Sequence, residues 1–145
     1  MKGRILALDV GSVRIGVAVS DPLGIFAQGL CVLQAKGEWM EELARLVIDN
    51  QAATLLVGMP RRTDGTEGPE AGKMRKVVET LKTRFANLEV VAWDERFTTT
   101  IAQAALIEAD VSRKKRKTRV DMVAATLLLQ NYLEFMRKDV PHATA

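Results

Sequence analysis

Three acidic residues and one basic run carry most of the chemistry open to this sequence. Asp9 closes the apolar run Ile5-Leu6-Ala7-Leu8 and is followed at once by Val10-Gly11-Ser12-Val13-Arg14. Glu95 lies just past a second apolar stretch, in Trp93-Asp94-Glu95-Arg96-Phe97-Thr98. Asp121 begins a helical pattern that continues Met122-Val123-Ala124-Ala125. A run without polar alternation reads as a strand buried on both faces, the kind found in the centre of an α/β sheet. A carboxylate ending such a strand is costly to desolvate unless a cation or hydrogen-bond donors meet it. Each acid also has an ordinary explanation. Asp9 can cap its own turn, Asp121 can complement a helix dipole, and Glu95 can be a solvated loop residue. Taken together, the three favour a metal site.

The rest of the composition narrows the chemistry. His142 is the only histidine and lies beside Pro141 in the last few residues, and Cys31 is the only cysteine. Serine–histidine triads, cysteine–histidine pairs and histidine-rich zinc sites do not fit such a chain. Acid–base and metal chemistry must come from carboxylates, lysines and water, and oxygen-only ligation suits Mg²⁺ or Mn²⁺. Three carboxylates around one divalent cation still repel a phosphodiester. Around two cations they attract one, and two ions clamp the attacking and leaving oxygens of an in-line displacement.

The formal charge of +3 comes from one place. Arg113-Lys114-Lys115-Arg116-Lys117-Thr118-Arg119 holds six of the 21 basic residues, and the other 15 face 18 acidic ones. The run is either a solvated, self-repelling loop or a contact for backbone phosphates, strong in salt dependence and blind to sequence. Its place just before Asp121 favours phosphate binding. Arg14, Arg61, Arg62, Arg96 and Thr98 are further candidates for nucleic-acid contact; Arg96 can instead pair with Asp94. Aromatic residues, at 5%, are too few for a platform that stacks single-stranded bases.

These residues need a scaffold. Residues 4–10 and 14–20 read as two strands joined by a tight hairpin at Gly11-Ser12-Val13. A third strand at 27–34 follows the Asp21-Pro22-Leu23-Gly24 turn. Trp39, Leu43, Leu46 and Val47 then repeat at helical spacing across 38–50. Thr54–Val57 reads as a short buried strand, followed by a loop through Gly68 long enough to suggest a role of its own. Pro69 suits the first position of a helix over 69–85, residues 88–93 form another strand, and Thr98 caps a helix to about 109. The basic run reads as a loop or frayed helix start before a final helix at 119–137. The result is an α/β fold, a mixed five-stranded sheet with three antiparallel strands and then two parallel ones, flanked by helices. Residues 1–139 make one domain and 140–145 a short tail. Hydrophobic content of 48% with 27% charge is that of a soluble globular protein. No membrane span or signal-peptide pattern is present, and a single cysteine suits a reducing cytoplasm.

Leu6-Ala7-Leu8-Asp9-Val10-Gly11 with Arg14-Ile15-Gly16-Val17-Ala18-Val19-Ser20-Asp21 resembles the opening motif of the YqgF (RuvX) family. Val57-Gly58-Met59-Pro60, Asp64 through Pro69, Asp94-Glu95-Arg96-Phe97-Thr98-Thr99, Lys117 through Asp121 and Ala124-Ala125 resemble its later blocks, in order along nearly the whole chain. Met59 and Phe97 stand where leucine is usual. The resemblance implies an RNase H-like nuclease domain related to the RuvC resolvases, with Asp9, Glu95 and Asp121 as metal-binding catalytic acids and two Mg²⁺ or Mn²⁺ ions. RuvC-type resolvases bring a fourth carboxylate from the last helix, where this chain has Ala124 and Ala125. The implied substrate is a Holliday junction or other branched DNA, or structured precursor 16S rRNA during ribosome biogenesis. Paired cuts in a junction need a homodimer, whereas trimming one RNA end does not. Two rivals remain: a non-catalytic RNA-binding assembly factor, and an actin-like ATPase or sugar kinase, whose first phosphate loop the Asp-Val-Gly-Ser turn also resembles but which needs two such domains.

Overall fold

The apolar run after Arg4 and the alternating run after Arg14 fold as a hairpin, β1 (Arg4–Val10) turning back into β2 (Arg14–Ser20). Gly11 makes that turn possible. Its N–H donates to the Arg14 carbonyl at 2.9 Å, and a Cβ on it would lie 2.7 Å from the same oxygen. No other side chain fits there without moving backbone, so the glycine at 11 serves the turn. The next turn is closed by Asp21, whose carboxylate accepts the Ile25 and Phe26 N–H groups at 2.7 and 2.9 Å. It delivers the chain into β3 (Ala27–Gln34).

The computed structural model describes residues 3–59, 69–94 and 113–139, with Glu70, residues 113–121 and residues 138–139 described through their backbone. After β3 come α1 (Trp39–Asp49), β4 (Ala52–Met59), α2 (Pro69–Arg84), β5 (Glu89–Asp94) and α3 (Arg113–Asp139). The sheet order is β3-β2-β1-β4-β5. The β1–β2 and β2–β3 pairs are antiparallel, and β1–β4 and β4–β5 are parallel. This is the mixed sheet expected from the sequence.

The two faces of β1 explain its unbroken apolar run. Leu6 and Leu8 point into a core shared with α1 and α2, through Leu43, Met74, Val78 and Leu81. Ile5 and Ala7 point into a second core under α3, with Ala18, Leu56, Ala125, Leu128 and Leu129. Burying one such aliphatic side chain contributes about 1.5–3 kcal/mol, so a one-residue slip of β1 would turn both sets the wrong way.

The main differences from the sequence expectation lie in three elements. β4 extends over Ala52–Met59 rather than 54–57, because pairing with β1 and β5 recruits alanine, glycine and methionine that have little strand preference of their own. β5 runs one residue later, over Glu89–Asp94. The last helix begins at Arg113, not 119, so of the two readings of the basic run, a loop or a helix start, the structure has the helix start. Like charges four apart cost about 0.2–0.5 kcal/mol a pair, but Lys and Arg are good helix formers and extend a helix already nucleated below them. The helix expected at 98–109 and most of the loop before Pro69 lie outside the described residues. Among the described residues no helix is long and apolar enough to cross a membrane.

Candidate active site

Side chains alternate along a strand, so Asp9 shares the α3 face with Ile5 and Ala7. Its partner in β2 is Gly16. On the other side Leu8 pairs with Val57, and the next residue of β4, Gly58, pairs with Trp93. The row at the carboxyl end of the sheet therefore reads Gly16, Asp9, Gly58, Trp93. A half-buried carboxylate stands between two buried glycines that present no side chain beside it.

Asp94 is sorted by the same register. It pairs with Met59, which is buried in the α1–α2 core, so Asp94 lies on the opposite face from Asp9. Glu95, the next residue, lies outside the described residues, as do Arg61, Arg62, Arg96 and Thr98.

Helix α3 brings position 121 toward the Asp9 row. Low on the sheet, Gln130 Oε1 accepts the Ala27 N–H at 2.9 Å and its Nε2 donates to the Ile25 carbonyl at 3.1 Å. Ala27 pairs with Ser20. One row further up, Met122 and Thr126 lie over Gly29, where an added Cβ would meet both at 3.4 Å. Gly29 pairs with Ala18, and Ala18 with Ala7. Followed from Gln130 back to Met122, α3 thus climbs from the bottom of the sheet toward the row of Asp9. Position 121 is one turn before Ala125, which is fully buried against Ala7 and Ala18. Arg113, Lys114, Lys115, Arg116, Lys117 and Arg119 occupy the turns just ahead of it. Arg14 opens β2 at the same end of the sheet, half-buried and paired with Gln34.

A contact that sequence reasoning missed ties β5 to α3. Trp93 packs edge-on against Tyr132, centroids 5.1 Å apart at 82°, and against Phe135 at 4.9 Å and 62°. Its indole N–H reaches Asn131 Oδ1 at 3.4 Å. Such ring pairs are worth about 0.5–1.5 kcal/mol beyond the area they bury, whereas a hydrogen bond of that length adds little. The only hint in the sequence was a large aromatic placed directly before two acids.

Thiol chemistry is disfavoured, because burial and then the Glu42 carboxylate push the Cys31 thiol up. Among the described residues no three acids, histidines or cysteines gather around a common point; two of the three expected acids contribute no described side chain. What the described structure supplies is an oxygen donor set of one half-buried carboxylate, flanked in its row by glycines that add no side chain. That donor set suits a hard divalent cation such as Mg²⁺ or Mn²⁺.

A mixed five-stranded sheet, with an acid ending its central strand and a long helix across that face, is the architecture of the RNase H-like resolvases. The fowlpox virus resolvase, solved with Holliday junction DNA, superposes with a TM-score of 0.60 at 14% identity, over 92% of this chain and 98% of that one. T. thermophilus RuvC, also solved with a Holliday junction substrate, gives 0.55 at 14% identity, over 94% and 96%.

Within that class the chain belongs to the RuvX family, described as Holliday junction resolvase, whose family model matches residues 3–135. A relative from Clostridium botulinum (strain Hall), named "Putative pre-16S rRNA nuclease", is 43% identical over 137 residues, covering 93% of this chain and 99% of its own. Family and fold together make the protein a phosphodiester hydrolase, a nuclease.

Proposed function

We propose that this nuclease cuts structured nucleic acid as a Holliday-junction-resolvase-like endonuclease, with Asp9, Glu95 and Asp121 as its catalytic, metal-binding acids. The observation that carries the reading is Asp9 itself, a half-buried carboxylate on the face and in the row toward which α3 climbs with position 121. Two Mg²⁺ or Mn²⁺ ions held by these acids would supply an activated water and neutralise charge on the attacking and leaving oxygens. Asp9, Glu95 and Asp121 would hold the ions between them, with Asp9 the residue least replaceable.

The chain's own residues do the rest. Arg113 through Arg119 draw in the phosphate backbone ahead of Asp121, and Arg14, Arg61, Arg62, Arg96 and Thr98 hold the strand around the scissile bond. Paired cuts across a junction would require a homodimer.

A second reading, maturation of the 5′ end of precursor 16S rRNA, is supported by the name of the 43% identical relative. A non-catalytic RNA-binding role is a third outcome of the same test. Wild type and Asp9→Asn are incubated in parallel with a four-way DNA junction and with precursor 16S rRNA in Mn²⁺. Asp9→Asn should lose cleavage about 1000-fold or more, as expected when several kcal/mol of charge stabilisation are removed at about 1.4 kcal/mol per factor of ten. Binding of the preferred substrate should persist. Retained cleavage in the variant sinks the site assignment, and metal-free binding without cleavage of either substrate by wild type favours the assembly factor.

A further inference from the structure

Trp93 lies in the row of Asp9 and faces the same core, where its neighbour in the sheet, Gly58, offers it no side chain. Three residues of α3 meet it instead: Asn131, Tyr132 and Phe135. On the other side of the same helix turn, Gln130 is bonded to the start of β3 at Ile25 and Ala27. Consecutive residues of α3 are therefore fastened toward opposite edges of the sheet. Above these fastenings the helix continues to Ala125 and then to position 121, and β5 ends at Asp94, next in sequence to Glu95.

A rigid helix pinned below a functional position transmits any tilt at the pin to that position. Rings packed edge-on at about 5 Å leave little room for such a tilt. Trp93 is half-buried, as is Asn131, while Phe135 is 48% exposed. The contact belongs to the edge of the cluster of Ala7, Ala18, Leu56, Ala125 and Leu129, of which Tyr132 is a buried member and against which Trp93 packs, so a loss of stability has to be separated from a loss of positioning.

We infer that Trp93 is a positioning residue: its rings-on-helix contact with Tyr132 and Phe135 sets the separation between the strand end leading to Glu95 and the helix carrying Asp121. The inference rests on the assignment of those acids as metal ligands. Trp93 does not touch substrate or metal. It acts through α3, and the rings rather than the long indole hydrogen bond do the holding.

Mn²⁺ binding by titration calorimetry without substrate, cleavage kinetics in Mn²⁺ and melting temperature are measured for wild type, Trp93→Leu, Trp93→Phe, Asn131→Leu and Leu33→Ala. Leu33 is buried in the α1–α2 core on the other face, so Leu33→Ala reports what loss of stability alone does. Trp93→Leu should weaken Mn²⁺ binding and lower kcat by about 10- to 100-fold, the range seen when groups that orient metal ligands are removed, with KM changed less than threefold. Trp93→Phe, which keeps a ring, should recover most of both, and Asn131→Leu should stay within threefold of wild type. Leu33→Ala should melt earlier with Mn²⁺ affinity intact. If Trp93→Leu behaves like Leu33→Ala, or if Trp93→Phe fails to rescue, the inference is overturned. A wild type that neither binds Mn²⁺ nor cleaves overturns the metal-site reading and the positioning role with it.

Discussion

Ser20 offers the cleanest separation of scaffold from chemistry. It is 1% exposed, the only buried polar side chain among the described residues. Its Oγ accepts the Ile5 N–H at 2.9 Å across fifteen positions of sequence. The β1–β2 register begins at Leu6 with Val19, and the β1–β4 register shifts between Arg4 and Ile5. The serine hydroxyl therefore satisfies a backbone donor at a point where the ladder is irregular. Ser20→Ala leaves that N–H buried and unpaired, at a cost of about 1–3 kcal/mol. In a chain of this size each kcal/mol lowers the melting temperature by about 2–4 °C, so a drop of about 2 to 12 °C is expected in calorimetry. Asp9 lies four residues further along β1, about 13 Å away at the rise of a strand. Cleavage per folded molecule, assayed well below the transition, should stay within twofold of wild type. Ser20→Cys, with a weaker acceptor of similar size, should fall between the two. An unchanged melting temperature in Ser20→Ala would refute the reasoning, since the Ile5 N–H would then have another partner. A large loss of activity at full stability would equally refute it, because the far end of β1 would then be coupled to the site.

Two further outcomes are expected. Backbone N–H groups, Phe26 first, hold the Asp21 carboxyl below the ordinary aspartate value of 3.8. A group whose folded pKa is lowered stabilises above its unfolded pKa and loses that effect as pH falls through the folded value. The melting-temperature gap between wild type and Asp21→Asn should thus be full at neutral pH and close below pH 3.8; a gap constant across that range would remove the ion–dipole cause. Replacing all six basic residues of 113–119 by alanine keeps a good helix former at each position, while lowering the slope of log affinity against log salt by about 0.9 for each duplex phosphate that the run neutralises in wild type. A slope unchanged from wild type would mean that the run faces solvent and that the polyanion is met elsewhere.

The central strand that carries Asp9 was legible because its signal is local: an unbroken apolar run that stops at a carboxylate can be read without tertiary information. The hairpin after it was legible for the same reason, since Gly11 and the alternation of β2 lie within a few residues of each other. The extent of β4 was not, because Ala52, Ala53, Gly58 and Met59 become strand only through hydrogen bonds to neighbours on both sides. The helical state of the basic run depends likewise on the long helix it extends. The face of Asp94 required the register with Met59, which no local pattern encodes. Trp93 and Asn131 are 38 positions apart, so beyond an aromatic placed before two acids no local pattern encodes their contact.

The turn of α3 after Asp121 gives a physical reason why the proposed site would have fewer acids than the four that the RuvC resemblance implies. Ala125 is fully buried against Ala7 and Ala18, and the helix comes close enough there that Gly29 already leaves only 3.4 Å for a Cβ beneath Met122 and Thr126. A carboxylate at 125 would be buried in that apolar cluster without a donor, at a cost of several kcal/mol, and would be protonated rather than ligate a metal. Small residues at this turn let the helix approach the sheet, and the approach is what carries position 121 toward Asp9. Close packing and a fourth ligand at position 125 are therefore alternatives. This chain takes the packing, which leaves the proposed metal site to Asp9, Glu95 and Asp121.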